Sequence, residues 1–155
     1  MDHQRREALR AAGGLGLFAL LAAAGLIGPE LAQAAQNRAG FEAHTLEAAL
    51  SALGAGKPAA STDIELNVPD LNENGAAVRL GIVSRLPKTE QIAILIEKNP
   101  NLLAAHFTLP EGTVADLQAE VKMSQSSDIH VLVKADGRFY AIRKEVKVTI
   151  GGCGA

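Results

Sequence analysis

Apolar and polar residues alternate with a period of two over much of the chain beyond Ser61. Ile64, Leu66 and Val68 face one way and Asp63, Glu65 and Asn67 the other, until Pro69 ends the run. That is the pattern of a strand with one buried and one wet face. The same reading predicts strands at 77–85, 91–98, 104–109, 117–124, 129–135 and 139–150. Turn chemistry separates them. Asn74-Gly75 and Asp136-Gly137 can take positive φ at little cost, Asn99-Pro100 breaks pairing after a continuous apolar run, and Pro110-Glu111-Gly112 reads as a loop. About seven alternating strands each need a second apolar face, which predicts an all-β fold, an immunoglobulin-like antiparallel β-sandwich. There is no tryptophan and no second cysteine, so aliphatic residues must fill its core. Ahead of the strands, Phe41, Leu46, Leu50 and Leu53 recur at near-helical spacing and stop at Gly54 and Gly56. They predict a short amphipathic helix docked on the domain.

Residues 1–34 follow a different pattern. Arg5 and Arg6 precede an uncharged stretch from Ala11 to Pro29, rich in Ala, Leu and Gly, which leads to Ala32-Gln33-Ala34. That order is an export signal's, with cleavage expected after Ala34, and the glycines make it a poor permanent membrane span. The adjacent arginines, with Leu9 and Arg10 behind them, resemble the twin-arginine type, although Gln4 and Ala8 depart from its usual residues. The expected organisation is an export signal over 1–34, a sandwich domain over 35–150 and a terminal arm over 151–155. The expected location is the periplasm.

Composition narrows the function. Fifteen Lys+Arg against seventeen Asp+Glu leave a formal charge of −2, too little positive charge for wrapping nucleic acid. One cysteine excludes an intramolecular disulfide and a thiolate-rich zinc site. His3, His44, His106 and His130 are the only histidines and make no ligand pair by spacing; His106 and His130 read as strand residues. No phosphate loop, zinc helix or nucleophile elbow occurs, and Asp70 and Glu73 read as turn formers. No catalytic residue, metal site or cofactor is expected.

The unusual chemistry lies after the last strand, in Gly151-Gly152-Cys153-Gly154-Ala155. An exposed thiol is a liability, and here three glycines without Cβ atoms surround it, making a slender and flexible arm. From Ile150 the sulfur of Cys153 can reach about 10 Å at roughly 3.3–3.6 Å per residue, enough to enter a docked partner's active site. A functional thiol in an exported protein is the expectation; an intermolecular disulfide tether on an immunoglobulin-like interaction module is the alternative. Prenylation does not fit, since only Gly154 and Ala155 follow the cysteine. Arg143, Lys144 and Lys147 near the arm read as a solvated strand face that could favour anionic adducts.

The ending Lys144-Glu145-Val146-Lys147-Val148-Thr149-Ile150-Gly151-Gly152-Cys153-Gly154 resembles the SoxY family, the sulfur carriers of the bacterial thiosulfate-oxidising system. Glu73-Asn74-Gly75-Ala76, Glu97-Lys98-Asn99-Pro100, Lys122-Met123 and Ala135-Asp136-Gly137 also fall in the family's order. Ala155, Arg79 and Leu102-Leu103 depart from its pattern. The resemblance implies that Cys153 binds sulfur intermediates covalently and that the protein is a shuttle rather than an enzyme. It also implies a heterodimer with a SoxZ-like subunit. The other partners implied are a thiosulfate-oxidising cytochrome, a sulfate-releasing hydrolase and a sulfur dehydrogenase; a related dehydrogenase system is the variant reading. A thiol at its reference pKa of about 8.5 is only a few per cent thiolate at pH 7, so those enzymes must activate it.

Overall fold

The computed structural model describes residues 38–149. A helical turn at 38–41 precedes α1 (Leu46–Ala52), and nine strands follow. They are β1 (Ala59–Ala60), β2 (Ile64–Asn67), β3 (Leu71–Asn72), β4 (Val78–Ser84), β5 (Thr89–Ile96), β6 (Leu103–Thr108), β7 (Asp116–Val121), β8 (Ser127–Ala135) and β9 (Arg138–Val148). One sheet runs β1-β9-β8-β5-β6, with β3 also on β9; the other runs β2-β4-β7. The fold is a mostly-β two-sheet sandwich, as the alternation predicts.

Two strands were not visible in that alternation. β1 and β3 are two residues each and pair with β9 in parallel, Ala59 opposite Tyr140 and Leu71 opposite Lys147, so the larger sheet is not wholly antiparallel. A two-residue strand is too short to show a period.

Between the sheets, Val78, Leu80 and Ile82 of β4 meet Ile92, Ile94 and Ile96 of β5, Ile129, Val131 and Val133 of β8, and Val146 of β9. Val78 and Ile82, with all of the β5, β8 and β9 residues named, are fully buried. Each such side chain contributes about 1.5–3 kcal/mol by leaving water, so aliphatic packing can hold this core without a disulfide. β5 is buried on both faces. Its alternate residues Ala93 and Leu95 pack outward with Leu103 and Leu132 beneath Ala49 and Leu53 of the helical region, which explains the unbroken apolar run.

The helix is shorter than its predicted stripe. Thr45 caps it, its hydroxyl accepting the Ala48 N–H at 3.2 Å, and this separates α1 from the turn that carries Phe41. Phe41 is consequently 39% exposed, while Ala49 is fully buried and brings the helix close to the sheet. The C-terminus closes as expected at Gly54, with φ at 74°. There the Gly54 N–H donates to the Ser51 carbonyl and the Ala55 N–H to that of Leu50, a Schellman motif. No helix among the described residues is long and apolar enough to cross a membrane.

Candidate functional site

Cys153, Gly151, Gly152, Gly154, Ala155, Arg5 and Arg6, on which the sequence reading concentrates, lie outside the described residues. The structure does define the root of the cysteine-bearing segment, the last turns of ladder around Val148 and Thr149. Pairing of β9 with β8 ends at Val146 opposite Ser127. Beyond it, Ser126 takes over. Its Oγ accepts the Val148 N–H at 3.0 Å and donates to the Val148 carbonyl at 3.3 Å. On the other edge, the Lys147 N–H donates to the Asp70 carbonyl at 2.8 Å and the Thr149 N–H to that of Asn72 at 3.0 Å. The Thr149 hydroxyl donates to the Glu73 carbonyl at 3.2 Å.

The loops that hold this root are tied to one another. The Met123 N–H donates to the Gly75 carbonyl at 2.7 Å, and the Asn99 amide donates to the Lys122 carbonyl at 2.7 Å. Asn99 Oδ1 in turn accepts from the Ser124 N–H and the Ser124 hydroxyl. Thus Glu73-Asn74-Gly75-Ala76, Glu97-Lys98-Asn99-Pro100 and Lys122-Met123, far apart in sequence, gather at the end of β9. Ala135-Asp136-Gly137 forms the β8–β9 turn at the opposite end, with φ of 47° at Asp136 and 72° at Gly137.

Gly75 is a glycine for a different reason from the one predicted. Neither Asn74 nor Gly75 takes a positive φ; Asn74 makes the turn by accepting the Ala76 N–H on its side-chain oxygen at 2.9 Å. A Cβ on Gly75 would stand 2.6 Å from the Met123 carbonyl oxygen and 3.5 Å from Val148 Cβ, so closeness of backbones excludes a side chain.

The three basic residues near the root do not converge. Lys144 reaches the Val68 carbonyl at 2.6 Å and Asp70 Oδ1 at 2.8 Å, and its hydrogen bond and charge hold the Asp70 carboxyl below its ordinary value. Arg143 points from the opposite face toward Asp128, 3.5 Å away. Lys147 is exposed and makes no ion pair among the described residues.

The histidine reading missed one grouping. Register places His130 of β8 opposite Leu95, and His130 Nε2 lies 3.4 Å from Glu97 Oε2; with Asp128 these ligand-type atoms fall within 4.8 Å of one another. The Arg143 guanidinium already supplies positive charge there. Asp128 and His130, two residues apart on β8, share a face by the period of the strand, and only the register with β5 adds Glu97 to them. His106 on β6 is half-buried, and burial lowers its pKa by disfavouring the imidazolium.

The class defined here is a small two-sheet sandwich domain whose last described strand is followed in sequence by a lone, glycine-flanked cysteine. The family model described as sulfur oxidation protein SoxY matches residues 50–153, which takes in both the sandwich and Cys153, and the chain belongs to the SoxY family. Among solved structures, the sulfur carrier protein SoxY from Chlorobium limicola f thiosulfatophilum is 28% identical, with a TM-score of 0.62 over 70% of this chain and 95% of that one. A superoxide reductase (neelaredoxin) from Ignicoccus hospitalis shares the sandwich alone, at 14% identity and a TM-score of 0.50, over 64% of this chain and 87% of its own. No curated protein sequence matches the chain. The protein is a carrier of the sulfur-oxidation system and works within that system.

Proposed function

We propose that this protein carries thiosulfate-derived sulfur covalently on Cys153 in the periplasm and presents it to separate enzymes. The observation that carries the reading is the SoxY family match, which extends through residue 153. A root pinned on both edges, from which a glycine-flanked thiol departs, supports it. Coupling of the thiol to thiosulfate forms an S–S bond, releases one proton and passes two electrons to a partner cytochrome. Water then cleaves the terminal sulfonate as sulfate and leaves a persulfide. Removal of six electrons by a sulfur dehydrogenase, with oxygen taken from three waters, converts the outer sulfur to a sulfonate. A second hydrolysis releases sulfate and restores the thiol. The chain itself need supply only the sulfur atom and its placement, which agrees with the carrier role.

A SoxZ-like subunit completes the carrier as a heterodimer. The twin-arginine reading of Arg5 and Arg6 suits this, because a folded complex can leave the cytoplasm with one signal. Mass spectrometry of protein purified without reductant tests the assignment. Masses corresponding to added sulfane sulfur or sulfonate on Cys153 are expected. A stable mixed disulfide with another protein as the sole adduct would instead indicate the tethered interaction module, and an unmodified thiol after exposure to thiosulfate and the partner enzymes would refute carriage.

A further inference from the structure

We propose that Ser126 is a positioning residue for the carrier thiol: its hydroxyl extends the β9 ladder past the end of β8 and so fixes the point from which the cysteine reaches. The proposal rests on Cys153 being the attachment site. In a strand, successive N–H groups point to opposite edges. Those of Lys147 and Thr149 are met by the carbonyls of Asp70 and Asn72, whereas that of Val148 points toward β8, whose pairing has already ended at Ser127. Ser126 Oγ stands in for the missing strand on that edge, accepting from the Val148 N–H and donating to the Val148 carbonyl. The loop that carries Ser126 is itself held by the three hydrogen bonds of Asn99 to Lys122 and Ser124.

The consequence is one of reach. From Thr149 to Cys153 an extended chain spans about 13–14 Å. Without the Ser126 hydroxyl, Val148 loses both bonds on that edge and residues 147–149 are held only by the bonds to Asp70, Asn72 and Glu73 and by the packing of Val148, so opening back to Val146, which lengthens the tether from about four residues to about seven, becomes more frequent. Once a tether is longer than the gap it spans, effective concentration falls roughly as the −3/2 power of its length, so in the opened state the thiol at a partner's active site is diluted about twofold. Loss of a fixed direction adds to this, since reaction depends on near-attack geometry.

The experiment compares Ser126→Ala, Ser126→Thr and the unaltered carrier, each with its partner subunit, in thiosulfate-dependent turnover by the sulfur-oxidising enzymes. Ser126→Ala is expected to lower kcat/KM at least about twofold, to speed amide hydrogen exchange at Val148 and Thr149, and to leave alkylation of Cys153 by iodoacetamide unchanged. Ser126→Thr, which keeps the hydroxyl, restores turnover. A second variant avoids any question of folding: two glycines inserted after Thr149 lengthen the tether without touching the clamp and are expected to lower turnover similarly. The proposal is overturned by unaltered exchange in Ser126→Ala, by wild-type turnover despite faster exchange, by failure of Ser126→Thr to restore turnover, or by wild-type turnover of the insertion. Cys153→Ser in the same assay isolates the underlying reading: turnover there refutes carriage on Cys153, whatever Ser126 does.

Discussion

Gly75 shows how much can hang on one missing Cβ. It lies between the Met123 carbonyl and the Val148 side chain, and it accepts the Met123 N–H, so it joins two of the loops that surround the end of β9. Adding a methyl group at 2.6 Å from a backbone oxygen requires backbone to move, unlike a clash with the end of a flexible side chain. Gly75→Ala is therefore expected to destabilise the protein by about 1–3 kcal/mol, as overpacking does. Thermal melting should show it as a drop of at least about 4 °C. An unchanged melting temperature would mean that the 122–126 loop gives way freely. Gly54, Gly56, Gly112 and Gly137 differ in kind: their φ values are positive, and nothing lies within 4 Å of a Cβ there. At those four sites a substitution is opposed by backbone conformation, and at Gly75 by a neighbour.

β9 is the strand that the cysteine segment follows in sequence. It spans the larger sheet, pairs with β8 along most of its length, and takes β1 and β3 on its other edge at opposite ends. Its inner row places Val146 and Val148 in the core, while Lys144 sits at the margin with its ammonium carried out to Asp70 and the Val68 carbonyl. The strand thus ends in packed structure and not in a frayed tip, and the cysteine segment begins from it. If the slenderness of that segment matters, changing both Gly151 and Gly152 to Val is expected to impair turnover with partner enzymes. The thiol's reaction with small reagents should be spared, because β-branched residues widen and stiffen the chain without altering the sulfur. Melting should match the unaltered protein, since both changes lie beyond the packed residues of β9. Full turnover by the double valine variant would show that the glycines are dispensable, even with sulfur still carried on Cys153.

For the whole molecule, the function proposed above divides the labour: the sandwich supplies rigidity and the rest of the sulfur-oxidation system supplies the chemistry. This division requires the carrier to reach its enzymes, and the expected route is export as a folded complex. Replacing Arg5 and Arg6 together by Lys is expected to abolish export by the twin-arginine route, because a guanidinium pair and not positive charge alone is read. Fractionation of cells expressing the variant would show precursor retained in the cytoplasm. Undiminished export would assign the signal to the general secretory route while leaving the sulfur chemistry untouched.

Strand positions were legible because burial of one face leaves a period of two in the residues themselves. The seven longer strands fall within one to three residues of that pattern at most ends, the largest overrun being at 117–124, where β7 stops at Val121. The Asp136-Gly137 turn was legible for a similarly local reason, since its backbone conformation depends on those two residues. The cysteine and its glycines stood out by composition alone. Other features depend on register and on contacts between distant segments. Burial of β5 on both faces required α1 to dock; the true reason for Gly75 required Met123 and Val148 to be placed beside it; and the meeting of Glu97, Asp128 and His130 required β5 and β8 to be aligned. Ser126 is the clearest case, a serine in a polar stretch, Ser124-Gln125-Ser126-Ser127, with nothing local to distinguish it. Its role follows from β8 ending two residues before β9 does, and where two strands stop relative to one another is set by the packing of the whole sandwich.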